Sequence, residues 1–227
     1  MKYEVIIFDA DETLFDFKKS EREAFKSSML ELGLEYDENY HLKIYHEINS
    51  AIWKELEEGK ITQKELKVER FVRLSQRLDI DINAEEMSNR YVYHLSQSSF
   101  LLDGSVDILE QLYKNYRLLI ITNGITKVQD SRIRKSLIGK YFENIIISEE
   151  AGVSKPDPAI FQYALNKINY HNKDKILMIG DSLSSDIKGG INYGIDTCWF
   201  NPYKIKNESD FTPTYEIESL NELLHVL

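Results

Sequence analysis

The 227-residue sequence contains one cysteine, Cys198, so no intramolecular disulfide, Cys-x-x-Cys pair or zinc knuckle can form. No apolar run approaches the ~18 to 20 residues of a membrane span. The first run, Val5 to Phe8, is too short for the apolar stretch of a secretory signal, and Asp9 and Asp11 follow it at once. Basic residues are in deficit: 28 Lys and Arg face 38 Asp and Glu, for a formal net charge of -10. That balance disfavours binding to a nucleic acid polymer through its backbone, but leaves room for a local basic pocket around a small phosphorylated ligand. Internal repeats and low-complexity tracts are absent. The histidines are scattered, and His41 and His46 are five apart, off the i, i+4 spacing of a helical metal pair. What is present is ordinary: 42% apolar and 29% charged residues place the chain among globular proteins and away from disordered ones. The length predicts one or two domains. The chain reads as cytoplasmic, with no membrane association, and as a monomer or weak dimer.

Tyr3 to Phe8, closed by Asp9-Ala10-Asp11, fits a strand buried on both faces. From Phe17 to Ser98 the apolar spacing becomes helical (Ala24, Phe25, Met29; Phe71, Leu74, Leu78), with capping signals at Ser20-x-x-Glu23, Thr62-x-x-Glu65 and Asn83-x-x-Glu86 and stops at Gly33 and Gly59. About four helices and no strand are expected there. After Ser99 the pattern alternates. Helices at 105–114, 126–138, from Asp157-Pro158 onward, and up to Asn192 separate strands at 117–122, 144–148, 175–180 and 195–200. A loop at 202–213, the segment Tyr215 to Ile217 and a last helix follow. Alternation implies parallel strands with right-handed crossovers. The expectation is an α/β core of residues 1–16 and 99–227 with an α-helical insertion at 17–98.

Ligands of open α/β sheets gather at the carboxyl ends of the strands. Those ends here carry Asp9 and Asp11, then Thr122 and Asn123, then Asp181 with Asp186 one turn on, while Lys155 lies in the loop after the third strand. Asp9, Asp11 and Asp181 would repel one another unless a cation joined them, and an oxygen-only donor set suits Mg²⁺. A hydroxyl and a fixed lysine suit the remaining phosphoryl oxygens. Asp9 and Asp11, as residues i and i+2 of an extended chain, would face one side. One can then attack phosphorus while the other handles the leaving group's proton, with the Asp11 pKa raised by nearby negative charge.

Taken in order, Asp9-Ala10-Asp11-Glu12-Thr13-Leu14, Thr122-Asn123, Lys155-Pro156 and Gly180-Asp181-x-x-x-x-Asp186 resemble the four motifs of the haloacid dehalogenase (HAD) superfamily, and the likeness covers nearly the whole chain. It implies a Rossmann-like parallel-sheet core with a four-helix cap, and a Mg²⁺-dependent phosphatase. By that likeness Asp9 becomes an aspartyl phosphate. Asp11 is the general acid and then the base, and offers its main-chain carbonyl to Mg²⁺. Thr122, Asn123 and Lys155 bind phosphate, Asp181 ligates Mg²⁺, and Asp186 supports the metal from behind. Glu12 departs from the glycine of most members. With it the string resembles a narrower group, the YjjG-type pyrimidine 5′-nucleotidases, as do Ile121 to Gly124, Ile147 to Val153 and Gly189 to Asn192. That group hydrolyses nucleoside 5′-monophosphates. Cap residues decide substrate in such enzymes, which makes Phe15, Asn49, Trp53 and Arg70 candidates for specificity, with hinges near 15–18 and 98–103.

Each feature has a plainer reading alone. Asp9 and Asp11 could cap a helix, Lys155 could be a solvated lysine, and Thr122-Asn123-Gly124 could be a turn. An EF-hand fails because Leu14 sits where glycine is needed and Ser20 where glutamate is. Trp53 is spaced for a core as well as for base stacking. Arg70 reads as a solvated helix residue rather than a ligand contact, and Phe15 lines a pocket mouth or packs at a hinge. Cys198 reads as a buried, inert thiol. A sugar-phosphate phosphatase or phosphomutase would keep the same core. A dehalogenase should lack Asp11. A phospho-aspartate receiver domain would carry its acceptor at the end of the third strand, where this chain has Ser148-Glu149.

Overall fold

The computed structural model describes residues 2–227, whose backbone forms two compact units: the residues up to 17 with 99–227, and residues 18–98. The first division falls one residue later than the sequence pattern implies. In chain order the elements are β1 (Val5–Phe8), α1 (Phe17–Glu31), α2 (Lys43–Glu57), α3 (Gln63–Leu78), α4 (Ala84–Ser96), α5 (Ser105–Leu112), β2 (Arg117–Thr122), α6 (Thr126–Gln129), β3 (Asn144–Ile147), α7 (Ser148–Ala151), α8 (Pro158–Lys167), β4 (Ile176–Gly180), α9 (Lys188–Tyr193), β5 (Asp196–Phe200), β6 (Tyr215–Ile217) and α10 (Leu223–Val226). No helix among the described residues is long and apolar enough to cross a membrane.

The first unit is an α/β layer structure. Its six strands are all parallel, in the order β3-β2-β1-β4-β5-β6. Side chains alternate across a strand, and both sheet faces here are covered. Ile6, Phe8, Leu118, Ile120, Leu177 and Ile179 pack into one apolar cluster, while Val5, Ile7, Leu119, Ile121, Ile176 and Met178 pack into the other. Both clusters are buried and apolar, which is why these strands read as unbroken apolar runs. Each fully buried Ile or Leu contributes roughly 1.5–3 kcal/mol relative to exposure. The strand order reverses between β1 and β4, which places a crevice at their carboxyl ends.

Where the chain leaves and rejoins this unit, the two segments pair: Asp16 N–H donates to Phe100 O (3.0 Å) and Leu102 N–H to Leu14 O (3.0 Å). The helix expected over 126–138 is broken, with α6 followed by a π turn at Asp130–Arg134. The last helix is a 3-10 turn at Leu220–Glu222 running into α10.

The second unit holds most of α1 together with α2, α3 and α4, and no strand. A π turn at Glu38–Leu42 precedes α2. The Thr62 capping box is present: Glu65 N–H donates to Thr62 Oγ1 (3.3 Å) and Thr62 N–H to the Glu65 carboxylate (2.9 Å). Asn83 caps α4 through Glu86 N–H (3.1 Å). The Ser20 cap is not realised, because α1 starts one turn earlier and leaves Ser20 buried inside the helix. Gly33 and Gly59 follow their helices with φ of 71° and 70°, a conformation glycine adopts without steric cost. The interior is aromatic: Phe25 stacks on Tyr45 at 4.4 Å and Tyr45 on Phe71 at 5.7 Å.

Candidate active site

The site is assembled from the ends of β1, β2 and β4. Asp9 N–H donates to Ile179 O (2.8 Å), which extends the β1–β4 ladder by one residue and fixes where the Asp9 side chain emerges. The chain then turns: Leu14 and Phe15 N–H both donate to Ala10 O (2.9 Å each), and Glu12 takes φ 61°. The expected group of Asp9, Asp11 and Asp181 differs from the observed one by one member. Three carboxylates do converge, with ligand oxygens within 4.8 Å of one another, but they belong to Asp9, Asp181 and Asp186. The Asp11 carboxylate is held by Arg132 and Gln129.

Lys155 holds this cluster. Its Nζ donates to Asp9 Oδ1 (2.5 Å) and Ile121 O (2.6 Å) and pairs with Asp186 Oδ1 (2.8 Å), so three acceptors meet its three N–H groups. The residue is buried. Asn123 sets its backbone: Asn123 Nδ2 donates to Lys155 O (2.9 Å) and Lys155 N–H to Asn123 Oδ1 (2.9 Å). The Asn123 side chain is thus committed to the Lys155 backbone at both ends, which leaves its main chain for any phosphate contact.

Asp186 is reached directly by Lys155, and its Oδ2 also accepts from Ser182 N–H (3.0 Å). A Cβ on Gly180 would fall inside the Asp186 carboxylate, so only glycine fits at the end of β4. Asp181 is steadied by Thr13, whose Oγ1 donates to Oδ1 (3.3 Å) and accepts from Asp181 N–H (3.1 Å), and by Trp199 Nε1, which donates to Asp181 O (2.8 Å).

Charge crowding shows in the acidities. Burial pushes the Asp9 carboxyl up to about 7, with Lys155 opposing and Asp186 and Asp11 adding to the rise. Burial, then Asp186, Asp9 and Glu12, raise Asp181 well above the usual carboxylate range. Burial alone would lower the Lys155 ammonium, but Asp186 and Asp9 outweigh it and hold it above the lysine range. One lysine among three carboxylates, two of them buried, leaves excess negative charge of oxygen donors only, the chemistry that suits a hard divalent cation.

Asp11 faces a cation instead of the negative surroundings expected for it: Arg132 Nη1 donates to Oδ1 (2.8 Å) and Gln129 Nε2 to Oδ2 (2.8 Å). Gln129 Nε2 also donates to Thr122 Oγ1 (3.0 Å). Sequence reasoning missed Gln129 and Arg132. Their i, i+3 spacing just after the end of β2 was the available signal, since it puts both on one face of a helical segment.

The four specificity candidates divide. Phe15 is fully buried with its ring 5.6 Å from the Arg132 guanidinium carbon, so it packs rather than lining a pocket mouth. In the helical unit, Arg70 is buried rather than solvated, because it sits one turn from Leu66 on the packed face of α3. Asn49, also buried, donates from Nδ2 to Glu21 Oε1 (2.7 Å) and accepts from Arg70 Nη1 (3.3 Å). Arg70 lies over the Phe71 and Tyr91 rings at 5.0 and 4.6 Å. Trp53 is half-buried.

A doubly wound parallel sheet with acids and a lysine at its switch point defines a class, and the comparison with known families agrees. Residues 6–200 match the haloacid dehalogenase-like hydrolase family, and the chain belongs to it. It is 38% identical over 228 residues to the pyrimidine 5′-nucleotidase PynA of Streptococcus pneumoniae, covering all of this chain and 96% of that one. It is 33% identical over 230 residues to the pyrimidine 5′-nucleotidase YjjG of Escherichia coli, covering all of this chain and 99% of that one. The crystal structure of the HAD-hydrolase YfnB of Bacillus subtilis, bound to magnesium, superposes with a TM-score of 0.94 at 34% identity, over 100% of this chain and 99% of that one. The chain is thus a hydrolase of the phosphatase type.

Proposed function

We propose that the protein is a Mg²⁺-dependent 5′-nucleotidase that hydrolyses pyrimidine nucleoside monophosphates through an aspartyl phosphate on Asp9. The observation that carries the reading is the grouping of Asp9, Lys155 and Asp181 at the β1–β4 switch point, with Thr122 and Asp11 linked at the neighbouring strand end. The substrate class rests on the full-length likeness to PynA and YjjG.

In the first half-reaction an Asp9 oxygen attacks phosphorus, the bond from phosphorus to the 5′ oxygen breaks, and Asp11 gives that oxygen its proton. In the second, water attacks the same phosphorus, Asp11 takes the water's proton, and phosphate leaves Asp9 as a free carboxylate. The Thr122 hydroxyl, the Asn123 main-chain N–H and Lys155 bind phosphoryl oxygens. Asp9 and Asp181 are the carboxylates suited to hold Mg²⁺, with the main-chain carbonyl of Asp11, while Asp186 fixes Lys155 and orients the group. A bound divalent cation would offset the negative charge of these acids and of the phosphoryl oxygens. The helical unit corresponds to the cap of such enzymes, and Asn49, Trp53 and Arg70 are its candidates for substrate specificity. Arg70 supports that role because its Nε and Nη2 are buried with no hydrogen-bond partner among the described residues.

The test is phosphate release from UMP, dUMP, dTMP, AMP, sugar phosphates and p-nitrophenyl phosphate, with Mg²⁺ or with EDTA. Mg²⁺-dependent release concentrated on pyrimidine monophosphates is expected, and Asp9→Asn should reduce it by about 10³-fold or more with an unchanged circular dichroism spectrum. Release favouring sugar phosphates would discard the nucleotide assignment while keeping the mechanism.

A further inference from the structure

Gln129 and Arg132 take no part in the reaction as set out, yet their bonds end on two of its groups. Arg132 Nη1 donates to Asp11 Oδ1 and to Gln129 Oε1 (2.8 and 2.9 Å), and Gln129 Nε2 donates to Asp11 Oδ2 and to Thr122 Oγ1 (2.8 and 3.0 Å). The Arg132 side chain has no exposed surface, and its guanidinium lies over the Phe15 and Phe17 rings at 5.6 and 5.2 Å. An arginine so buried costs several kcal/mol in desolvation unless a carboxylate meets it, and Asp11 is the one it pairs with among the ion pairs of the described residues. Gln129 is seated close: a Cβ on Gly124 would collide with its Cγ at 2.8 Å.

We propose that Gln129 and Arg132 are positioning residues that hold the acid–base carboxylate of Asp11 by both oxygens and tie it to the Thr122 hydroxyl. This rests on the phosphatase reading above. Two oxygens held by two donors remove rotation about the carboxylate, which no single bond would do. The amide has one orientation only. Its oxygen must face Arg132, a pure donor, so its nitrogen must face Asp11 and Thr122. Thr122 Oγ1 then accepts from Gln129, and its own proton is left to donate to a phosphoryl oxygen. The proton carrier from the β1 loop and the phosphate-binding hydroxyl from the end of β2 are thereby fixed as one piece. Lys155 performs the parallel task for Asp9, so two carboxylates two residues apart are each aimed by a different buried cation.

The experiment compares two leaving groups in the full-length protein with Mg²⁺. A nucleoside 5′-alkoxide needs a proton from Asp11, whereas p-nitrophenolate leaves without one. For Arg132→Met and Gln129→Leu, UMP turnover should fall about 10²-fold, the lower range of general acid–base catalysis. The pre-steady-state burst of p-nitrophenolate should keep its rate, with slow turnover after it. Arg132→Lys, which keeps a donor, should recover part of the loss. Should Arg132→Met fail to fold, Gln129→Leu uncovers no buried charge and decides the matter. Equal losses on burst and UMP turnover, a loss confined to KM, or no loss would overturn the positioning role. No release from either substrate by the parent protein would overturn the phosphatase reading itself.

Discussion

The two units of the chain bury charge in opposite ways. In the sheet unit the buried cations each meet a carboxylate: Lys155 spends all three N–H groups on Asp9, Asp186 and Ile121 O, and Arg132 meets Asp11 and Gln129 through Nη1, with Nη2 buried and making no hydrogen bond among the described residues. In the helical unit Arg70 is as deeply buried, but has one partner, Asn49 Oδ1 at 3.3 Å, two aromatic faces, and two N–H-bearing nitrogens with no acceptor among the described residues. A strand end fixes the direction of its side chain through the ladder on both sides, and neighbouring ends bring partners at a repeat of about 4.8 Å. A helix face fixes burial without supplying partners. The sheet unit is built to hold charges in place for chemistry, and the helical unit holds polar groups with bonding capacity to spare.

The sharpest way to break this contrast is to remove the cations. Lys155→Met leaves Asp9 and Asp186 without their cation and should cost about 3 kcal/mol of unfolding free energy in EDTA. Urea titration would measure it, and millimolar Mg²⁺ should recover much of the loss by binding the native state alone. Arg70→Met should cost under about 1 kcal/mol or stabilise, since an under-partnered buried charge is replaced by an apolar chain. The same variant should raise KM for UMP. Equal costs for the two variants would dissolve the distinction.

Backbone strain sharpens it further. Glu12 in the sheet unit and Asp79 in the helical unit both take positive φ, 61° and 54°. Glu12→Gly should stabilise by about 1 kcal/mol and Asp79→Gly by about half that, because aspartate tolerates this conformation better than glutamate. Thermal melts of the two variants would rank them. The smallest effect is one of pH. His46 pairs with Glu21 (2.7 Å), and that bond holds its pKa above the ordinary value against partial burial and Lys18. A raised folded pKa stabilises below about 6.5, and that stability is lost as the pH climbs through the folded value. Melting of the parent should therefore weaken from pH 6 to 8.5 by more than that of His46→Gln.

Much of the architecture was legible beforehand. The strands β2 and β3, the Asp157-Pro158 helix start and the Thr62 capping box follow from local patterns that tertiary contacts had no cause to override. The missed features share one cause. The π turn at Asp130–Arg134 breaks a segment whose apolar spacing reads as one helix, and it buries Arg132, a residue type that by default reads as surface. Arg70 was misread for the same reason. The pointing of Asp11 and the commitment of the Asn123 amide are set by bonds to residues more than thirty positions away, which no local pattern encodes.

By itself the sequence determined the order of elements and the family, because apolar periodicity and four short motifs in order are local properties that survive without coordinates. Only the tertiary structure decided which carboxylates share a site. Asp186 stands with Asp9 and Asp181 because Lys155 pairs with both Asp9 and Asp186, while Arg132 and Gln129 hold the Asp11 carboxylate.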